Sequence, residues 1–97
     1  MLSDVGYDWT GWALDHLRGI EPWEVLQVLT GKRARWPRRG RASSGASILT
    51  MWGRTDAGRP LIVGVYQADT WTWHIAAARE MTDAELAEFT RWEETQQ

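Results

Sequence analysis

The sequence predicts a single α+β domain: two N-terminal helices, an antiparallel meander sheet of three to four strands, and a C-terminal helix. Three observations support this prediction. The length of 97 residues suits one domain with one modest core, so residues 1–97 are taken together. The N-terminal third has helical hydrophobic spacing. The middle of the chain is rich in β-branched and aromatic residues separated by turn signals.

The two N-terminal helices are predicted in TGWALDHLRGI and EPWEVLQVLTGK. Thr10 can cap the first helix and Gly19 is well placed to end it. Pro22 lies in the first turn of the second helix, where its missing N–H costs nothing. We expect the buried side of the second helix to be formed by Trp23, Leu26 and Leu29.

Three strands are predicted in ASILTMWGRT, PLIVGVYQ and TWTWHIAAAR, with a tight hairpin at Asp56–Gly58. The tripeptide ARW before Pro37 can add a fourth strand, which Pro37 would restrict to an edge. The final helix begins with the capping box T-D-A-E, from Thr82 to Glu85. Its buried stripe is predicted to contain Leu86, Phe89 and Trp92.

Side chains alternate between the two faces of a strand, which sorts the residues of the predicted sheet. Leu61, Val63 and Val65 are the core set of the second strand, so Tyr66 faces away from them. In the third strand, one face is predicted to carry Trp71, Trp73, Ile75, Ala77 and Arg79. His74 then shares the less apolar face with Tyr66, and Arg79 at the strand end can bend towards either face.

Composition excludes several classes of protein. There are no cysteines, so disulfides, thiolate metal sites and a cysteine nucleophile are excluded. No apolar run approaches the 18 residues of a membrane span, and the N-terminal MLSDVGYDW has no apolar stretch typical of a secretion signal. We therefore expect a soluble cytoplasmic domain that does not associate with membranes.

Basic residues are concentrated in KRARWPRRGR, the segment Lys32–Arg41, which holds six of the eleven in the chain. The rest of the chain has a formal net charge of −8, so the molecule is dipolar. One interpretation is an RNA-binding strip, in which Trp36 stacks on a base and the cations contact phosphates. The other is a solvated basic edge strand that prevents sheet-edge aggregation. The strip consists of Lys32, Arg33, Arg35, Trp36, Arg38, Arg39 and Arg41.

Neither a metal site nor a cofactor site is predicted. His16 and His74 are far apart in the chain, and neither is part of an H-x-x-x-H or H-E-x-x-H spacing. The GRASSG segment lacks the lysine and the following helix of a phosphate-binding loop. Eight tryptophans are more than a chain of this size can bury fully, which favours some of them on a functional or oligomeric surface.

Three segments together resemble the BrnT-like toxins, small ribonucleases of bacterial toxin–antitoxin pairs. GRTDAGRPLIV is similar to the glycine-bounded hairpin of that family. HIAAAREMTDAE resembles its strand-to-helix signature, R-I-I-S-A-R followed by A-T and an acidic residue. GIEPWEVLQVL resembles its helix entry, H-G-V-(S)-F-E-E-A, and the resemblance covers most of Leu17 to Trp92.

The resemblance implies a RelE-like fold, metal-free RNA cleavage and neutralisation by a ribbon-helix-helix antitoxin. Arg79 occupies the second arginine of the family signature, whereas His74 stands where the first arginine is usual. Gln67 lies near a further arginine position of the family, and Arg18 stands at the position of the histidine before glycine.

The catalytic candidates are therefore His74 as acid or base, Arg79 as phosphate clamp and Arg54 as a weaker second clamp. The expected partners are RNA and the antitoxin, in a homo-oligomer or a toxin–antitoxin hetero-oligomer. The alternative is a relative that has lost the chemistry and acts as a protein-interaction module. The missing arginine at position 67 favours this alternative, whereas the retained Arg79 favours the ribonuclease.

Overall fold

The computed structural model describes residues 6–42 and 44–96, so the first five residues of the N-terminal segment lie outside the described part. The elements in chain order are the strand β1 (Gly6–Trp9), a 3₁₀ turn (Leu14–His16), the helix α1 (Pro22–Thr30), the strands β2 (Trp36–Arg41), β3 (Ser47–Arg54), β4 (Pro60–Gln67) and β5 (Thr72–Glu80), and the helix α2 (Asp83–Glu94). Within these ranges, no helix is long and apolar enough to cross a membrane.

The five strands form one mixed sheet in the order β1-β5-β4-β3-β2. The pair β1–β5 is parallel, and every other neighbouring pair is antiparallel. The predicted RelE-like arrangement, with two N-terminal helices and a wholly antiparallel sheet of three to four strands, is therefore wrong. The α+β class is confirmed, and β2 forms the edge strand that begins just before Pro37.

The first helix, predicted in residues 10–20, is wrong, and the residues just before it form a strand of the sheet. Gly6–Trp9 adds a parallel strand to the edge of β5, and Tyr7 and Trp9 pack against the main core. Only Leu14–His16 retains a helical turn. Trp12 and Leu14 of the predicted helix are exposed, so its apolar stripe has no core contact to offset the cost of helix nucleation. The strand β1, in contrast, satisfies backbone groups of β5 and partly buries two aromatic rings.

A bulge in β5 changes which side chains share a face. Val65 pairs with Ile75 but Gly64 pairs with Ala77, which leaves Ala76 as an extra residue. Directly opposite residues point to the same face, so Arg79 joins Ile62 on the face that also carries Tyr66 and His74. The predicted grouping of Arg79 with Ile75 is wrong, because strict alternation does not hold across a bulge.

Helix α1 covers the face that carries Leu61, Val63 and Val65, here called the α1 face. Its buried side chains are Val25, Val28 and Leu29, and they join the main core. Trp23 and Leu26, predicted to be buried, are instead 59% and 37% exposed. A Cβ at Gly53 on β3 would lie 3.0 Å from Val28 Cγ1, so the absence of a side chain there lets α1 approach the sheet closely.

Helix α2 packs on the opposite face, here called the α2 face, where Ile62 and Trp52 point. Phe89 is fully buried against them, and Trp36 and Trp92 pack at the side of this second core. The predicted capping box at Thr82 is present, with Glu85 N–H donating to the Thr82 hydroxyl and Thr82 N–H donating to the Glu85 carboxylate. The helix and its buried Phe89 are therefore as predicted.

Candidate functional site

Tyr66 and His74 form a hydrogen-bonded pair on the α2 face. They are cross-strand partners on β4 and β5, and the Tyr66 hydroxyl lies 3.2 Å from His74 Nδ1. The rings meet edge to face, with centroids 5.3 Å apart and planes at 73°. Both side chains are half-buried. Nδ1 is occupied by this bond, so Nε2 is the ring nitrogen left to contact a ligand.

Arg79 is on the same face as His74 but near the other end of the strand. Its cross-strand partner Ile62 is four residues from Tyr66, which corresponds to about 13 Å along the strand. Its guanidinium donates two hydrogen bonds of 2.7 Å to the two carboxylate oxygens of Glu85 at the start of α2. The structure therefore does not bring Arg79 into contact with the Tyr66–His74 pair.

This ion pair changes the acidity of both groups. The hydrogen bonds from Arg79, with a further bond from the Thr82 backbone, lower the pKa of Glu85 to about 2, although burial opposes the shift. Hydrogen bonding to Glu85 in turn raises the pKa of Arg79 above its ordinary value. Both groups stay charged over the whole neutral range, so the cation of Arg79 is compensated by the carboxylate that starts α2.

Arg54, the second predicted clamp, is also bound to α2. Its Nε and one terminal nitrogen each donate to the Glu93 carboxylate at 2.9 Å, and its guanidinium carbon lies 5.6 Å from the centroid of the Phe89 ring. The hydrogen bonds to Glu93 raise the pKa of Arg54. Its partner on β4 is Pro60, six residues from Tyr66 and thus about 20 Å away. Arg54 holds the C-terminal half of α2.

The centre of the predicted basic strip is occupied by packing. Trp36 stacks parallel on Trp92, with centroids 5.3 Å apart and planes at 3°. The Arg38 guanidinium lies over the rings of Trp36 and Trp52 and donates to Glu88 at 2.7 Å. Trp36 and Arg38 are therefore part of the second core and its border, and a base could stack on Trp36 only after local rearrangement.

The other cations of the strip lie on different sides of the molecule. Arg33 donates to the backbone oxygen of Asp56 and Arg35 to that of Gly31, while Lys32 is exposed. Arg39 and Arg41 are exposed on the side of β2 opposite to Arg38, because side chains alternate along the strand. The strip is thus divided by the sheet and does not form one continuous cationic face.

An open concavity of about 520 Å³ lies at the end of the sheet where β2 and β4 finish and β3 and β5 begin. We call it the sheet-end concavity. Its lining combines cationic, aromatic, polar and aliphatic side chains, and no carboxylate of residues 6–42 and 44–96 contributes to it. The residues that line it are Arg39, Gly40, Arg41, Ser47, Ile48, Leu49, Tyr66, Gln67 and Trp73.

Tyr66 lines the sheet-end concavity with two arginines of the strip, although Arg39 and Arg41 point to the face opposite to the Tyr66–His74 pair. Sequence reasoning named Arg39, Arg41 and His74 but not Trp73 or the concavity itself. The signal that would have found it is register: Arg39 pairs with Leu49, Leu49 with Val65, and Gln67 with Trp73. Only the pairing of all four strands brings these side chains to one end of the sheet.

The chain has no cysteine, so histidines and carboxylates are the side chains that can hold a metal ion. Residues 6–42 and 44–96 contain no group of three or more such side chains close enough to ligate a metal. The second histidine, His16, is exposed, and its Nδ1 lies 2.7 Å from the backbone oxygen of Trp12. A scan against protein-family models and a search of curated proteins found no match.

Proposed function

We propose that the chain is a toxin-type endoribonuclease that cleaves RNA without a metal ion, with His74 and Tyr66 as its proton-transfer pair. The observation that carries the proposal is the 3.2 Å contact between the Tyr66 hydroxyl and His74 Nδ1, next to a concavity lined by Arg39 and Arg41. The resemblance of three segments to the BrnT-like ribonucleases supports the same chemistry.

The reaction begins with the ribose 2′-hydroxyl. His74 Nε2 takes its proton while the 2′-oxygen forms a bond to the adjacent phosphorus. As the bond from phosphorus to the 5′-oxygen breaks, Tyr66 gives its hydroxyl proton to that leaving oxygen and takes the proton of His74 Nδ1. One proton passes in total from the 2′-oxygen to the 5′-oxygen, and the products are a 2′,3′-cyclic phosphate and a free 5′-hydroxyl.

In this proposal Arg39 and Arg41 hold the RNA strand at the sheet-end concavity through contacts to its phosphates. They point to the face opposite to His74, so they are not assigned to the reacting phosphate. Arg79 and Arg54, which the resemblance and the sequence favoured as clamps, are each bound to a glutamate of α2. We assign them to the attachment of α2, so their replacement should act on activity only through folding.

The test is cleavage of labelled single-stranded RNA and of total RNA by the purified chain, with and without EDTA. His74→Ala should lower the rate by about 10²-fold or more, and Tyr66→Phe should lower it by about 10-fold or more. His16→Ala is the matched control, because His16 is an exposed histidine outside the pair. Cleavage by His74→Ala at the wild-type rate, or an absolute requirement for Mg²⁺, would refute the mechanism.

A protein-interaction module is the second candidate, and one observation favours it. Among residues 6–42 and 44–96, five large apolar side chains are exposed, three of them tryptophans at 56%, 59% and 63%. They are Trp12, Leu14, Trp23, Leu26 and Trp71. Under the first proposal these side chains meet a ribbon-helix-helix antitoxin. Harmless expression of the chain on its own, with intact RNA and no cleavage in vitro, would leave the interaction module as the better account.

A further inference from the structure

We propose that the sheet-end concavity binds one unpaired nucleotide of the RNA, with its phosphate at Arg39 and Arg41 and its base against Trp73. The inference rests on the proposed function for the identity of the substrate and extends it to the class of RNA, which must be single-stranded. Binding at this concavity does not depend on cleavage, so the two proposals can fail separately.

The first argument is charge. Four arginines, Arg38, Arg54, Arg59 and Arg79, form salt bridges to glutamates. Arg39 and Arg41 form none within residues 6–42 and 44–96, and Arg41 donates only to the neutral backbone oxygen of Gly45. Because no carboxylate of the described residues lines the concavity, the charge of these two side chains is not compensated within that part of the chain.

The second argument is the position of the aromatic ring. Trp73 pairs with Gln67 across β4 and β5 and is half-buried at the end of the main core. Its packing fixes the indole at the wall of the concavity, so a base stacked on it would not have to order a mobile ring. Aromatic rings fixed beside arginines are the usual means by which proteins hold unpaired bases and the phosphates attached to them.

The third argument is the relation of the concavity to the reacting pair. Tyr66 lines the concavity while its hydroxyl contacts His74 on the α2 face. Trp73 and His74 are consecutive on β5 and point to opposite faces, so an RNA strand with one nucleotide on Trp73 has to turn around the end of the sheet at Tyr66 to reach the proton-transfer pair. A duplex cannot do this, because its bases are stacked and paired and none can turn into a concavity of about 520 Å³.

The experiment measures binding with a probe that the chain cannot cleave. A fluorescent octanucleotide lacking every 2′-hydroxyl is titrated by anisotropy, first as a single strand and then as a duplex, at several salt concentrations. We expect the single strand to bind about 10-fold more tightly than the duplex. Arg39→Gln and Arg41→Gln should each weaken binding and lower the salt slope by about 0.7. Arg91→Gln, an exposed arginine on α2, is the control and should change neither.

Trp73 contacts the core, so the variant Trp73→Leu keeps an apolar side chain, and its melting temperature is measured beside its affinity. It should weaken binding by about 10-fold without changing the salt slope, because stacking releases no counterions. Equal binding of duplex and single strand, or arginine variants that behave like Arg91→Gln, would overturn the inference. Polyglutamate is added as a competitor of the single-stranded probe. If it displaces the probe as well as unlabelled single strand does, and Trp73→Leu has no effect, the concavity is a general polyanion surface and the inference is overturned.

Cleavage of an RNA octanucleotide by the same variants separates the two proposals. Wild-type cleavage that persists in Arg39→Gln and Arg41→Gln with unchanged affinity would leave the enzyme proposal intact and refute the nucleotide site. Specific single-strand binding without any RNA cleavage would support the nucleotide site and refute the endoribonuclease.

Discussion

The ion pair between Arg79 and Glu85 should control stability in a pH-dependent way, and Glu85→Gln isolates its charge. Glutamine at this position can still accept the hydrogen bond from Thr82 N–H, because capping boxes use either glutamate or glutamine. The substitution therefore removes the attraction to Arg79 and leaves the start of α2 hydrogen-bonded. Any loss of stability reports on the charge.

The magnitude follows from the acidity of Glu85. A fall in its pKa from 4.5 to about 2 on folding corresponds to at most about 3 kcal/mol in favour of the charged form. The side chain of Arg79 is 56% exposed, so solvent screens the pair and the expected contribution is about 1 kcal/mol. For a domain of this size that corresponds to a fall in Tm of about 4–8 °C.

The pH dependence has a definite sign. Because folding lowers the pKa of Glu85, the contribution is complete above pH 4.5 and is lost as the pH falls towards about 2. Urea unfolding should therefore show Glu85→Gln about 1 kcal/mol less stable than wild type at pH 7, with less than half of this difference left at pH 3. Glu94→Gln, the same change in the last turn of α2, is the control. The reasoning would be refuted if Glu94→Gln lost as much free energy of unfolding as Glu85→Gln, or if the loss in Glu85→Gln were as large at pH 3 as at pH 7.

Three further substitutions test the packing. Phe89→Ala should cost about 3–5 kcal/mol in urea unfolding, because Phe89 is fully buried between α2 and the sheet; a cost below 1 kcal/mol would contradict the position of α2. Gly58→Ala should cost about 1 kcal/mol, because Gly58 has a φ of +95°, whereas Gly11→Ala, with no atom within 4 Å of the new Cβ, should not show this strain. Trp36→Ala should lower the free energy of unfolding by about 2 kcal/mol through its lost stacking, and a loss of RNA affinity at unchanged stability would instead favour a base-stacking role.

The sequence predicted those parts of the fold that have local signals. The capping box from Thr82 to Glu85 is a sequence motif, and the structure contains it. The three strong strands appear as β3, β4 and β5, because β-branched and aromatic runs between turn signals need no distant partner to be identified. The class of fold follows from these elements.

The parts that were wrong depend on distant partners. The four residues of β1 become a strand only because β5 offers a free edge, which no pattern within Gly6–Trp9 reveals. The bulge at Ala76 is likewise a property of the pair β4–β5. On α1, helical spacing fits both the predicted stripe and the observed one, and the glycine at position 53 of β3 favours the closer approach through Val28.

Structural and ligand-binding arginines look alike in the sequence, and only contacts with distant segments of the chain distinguish them. On the α2 face, Arg38, Arg54 and Arg79 come from three different strands, and each meets a glutamate of α2. These three ion pairs attach the helix to the sheet around the buried Phe89, so the charge of each arginine is compensated by a glutamate of α2. Arg39 and Arg41 differ from Arg38 in the direction of their side chains on β2, and that direction places them in the sheet-end concavity, which no carboxylate of the described residues lines. Because side chains alternate along β2, the cations clustered in this short segment point to two different faces of the sheet. One arginine stabilises the attachment of α2, and two remain to contact an anion at the end of the sheet.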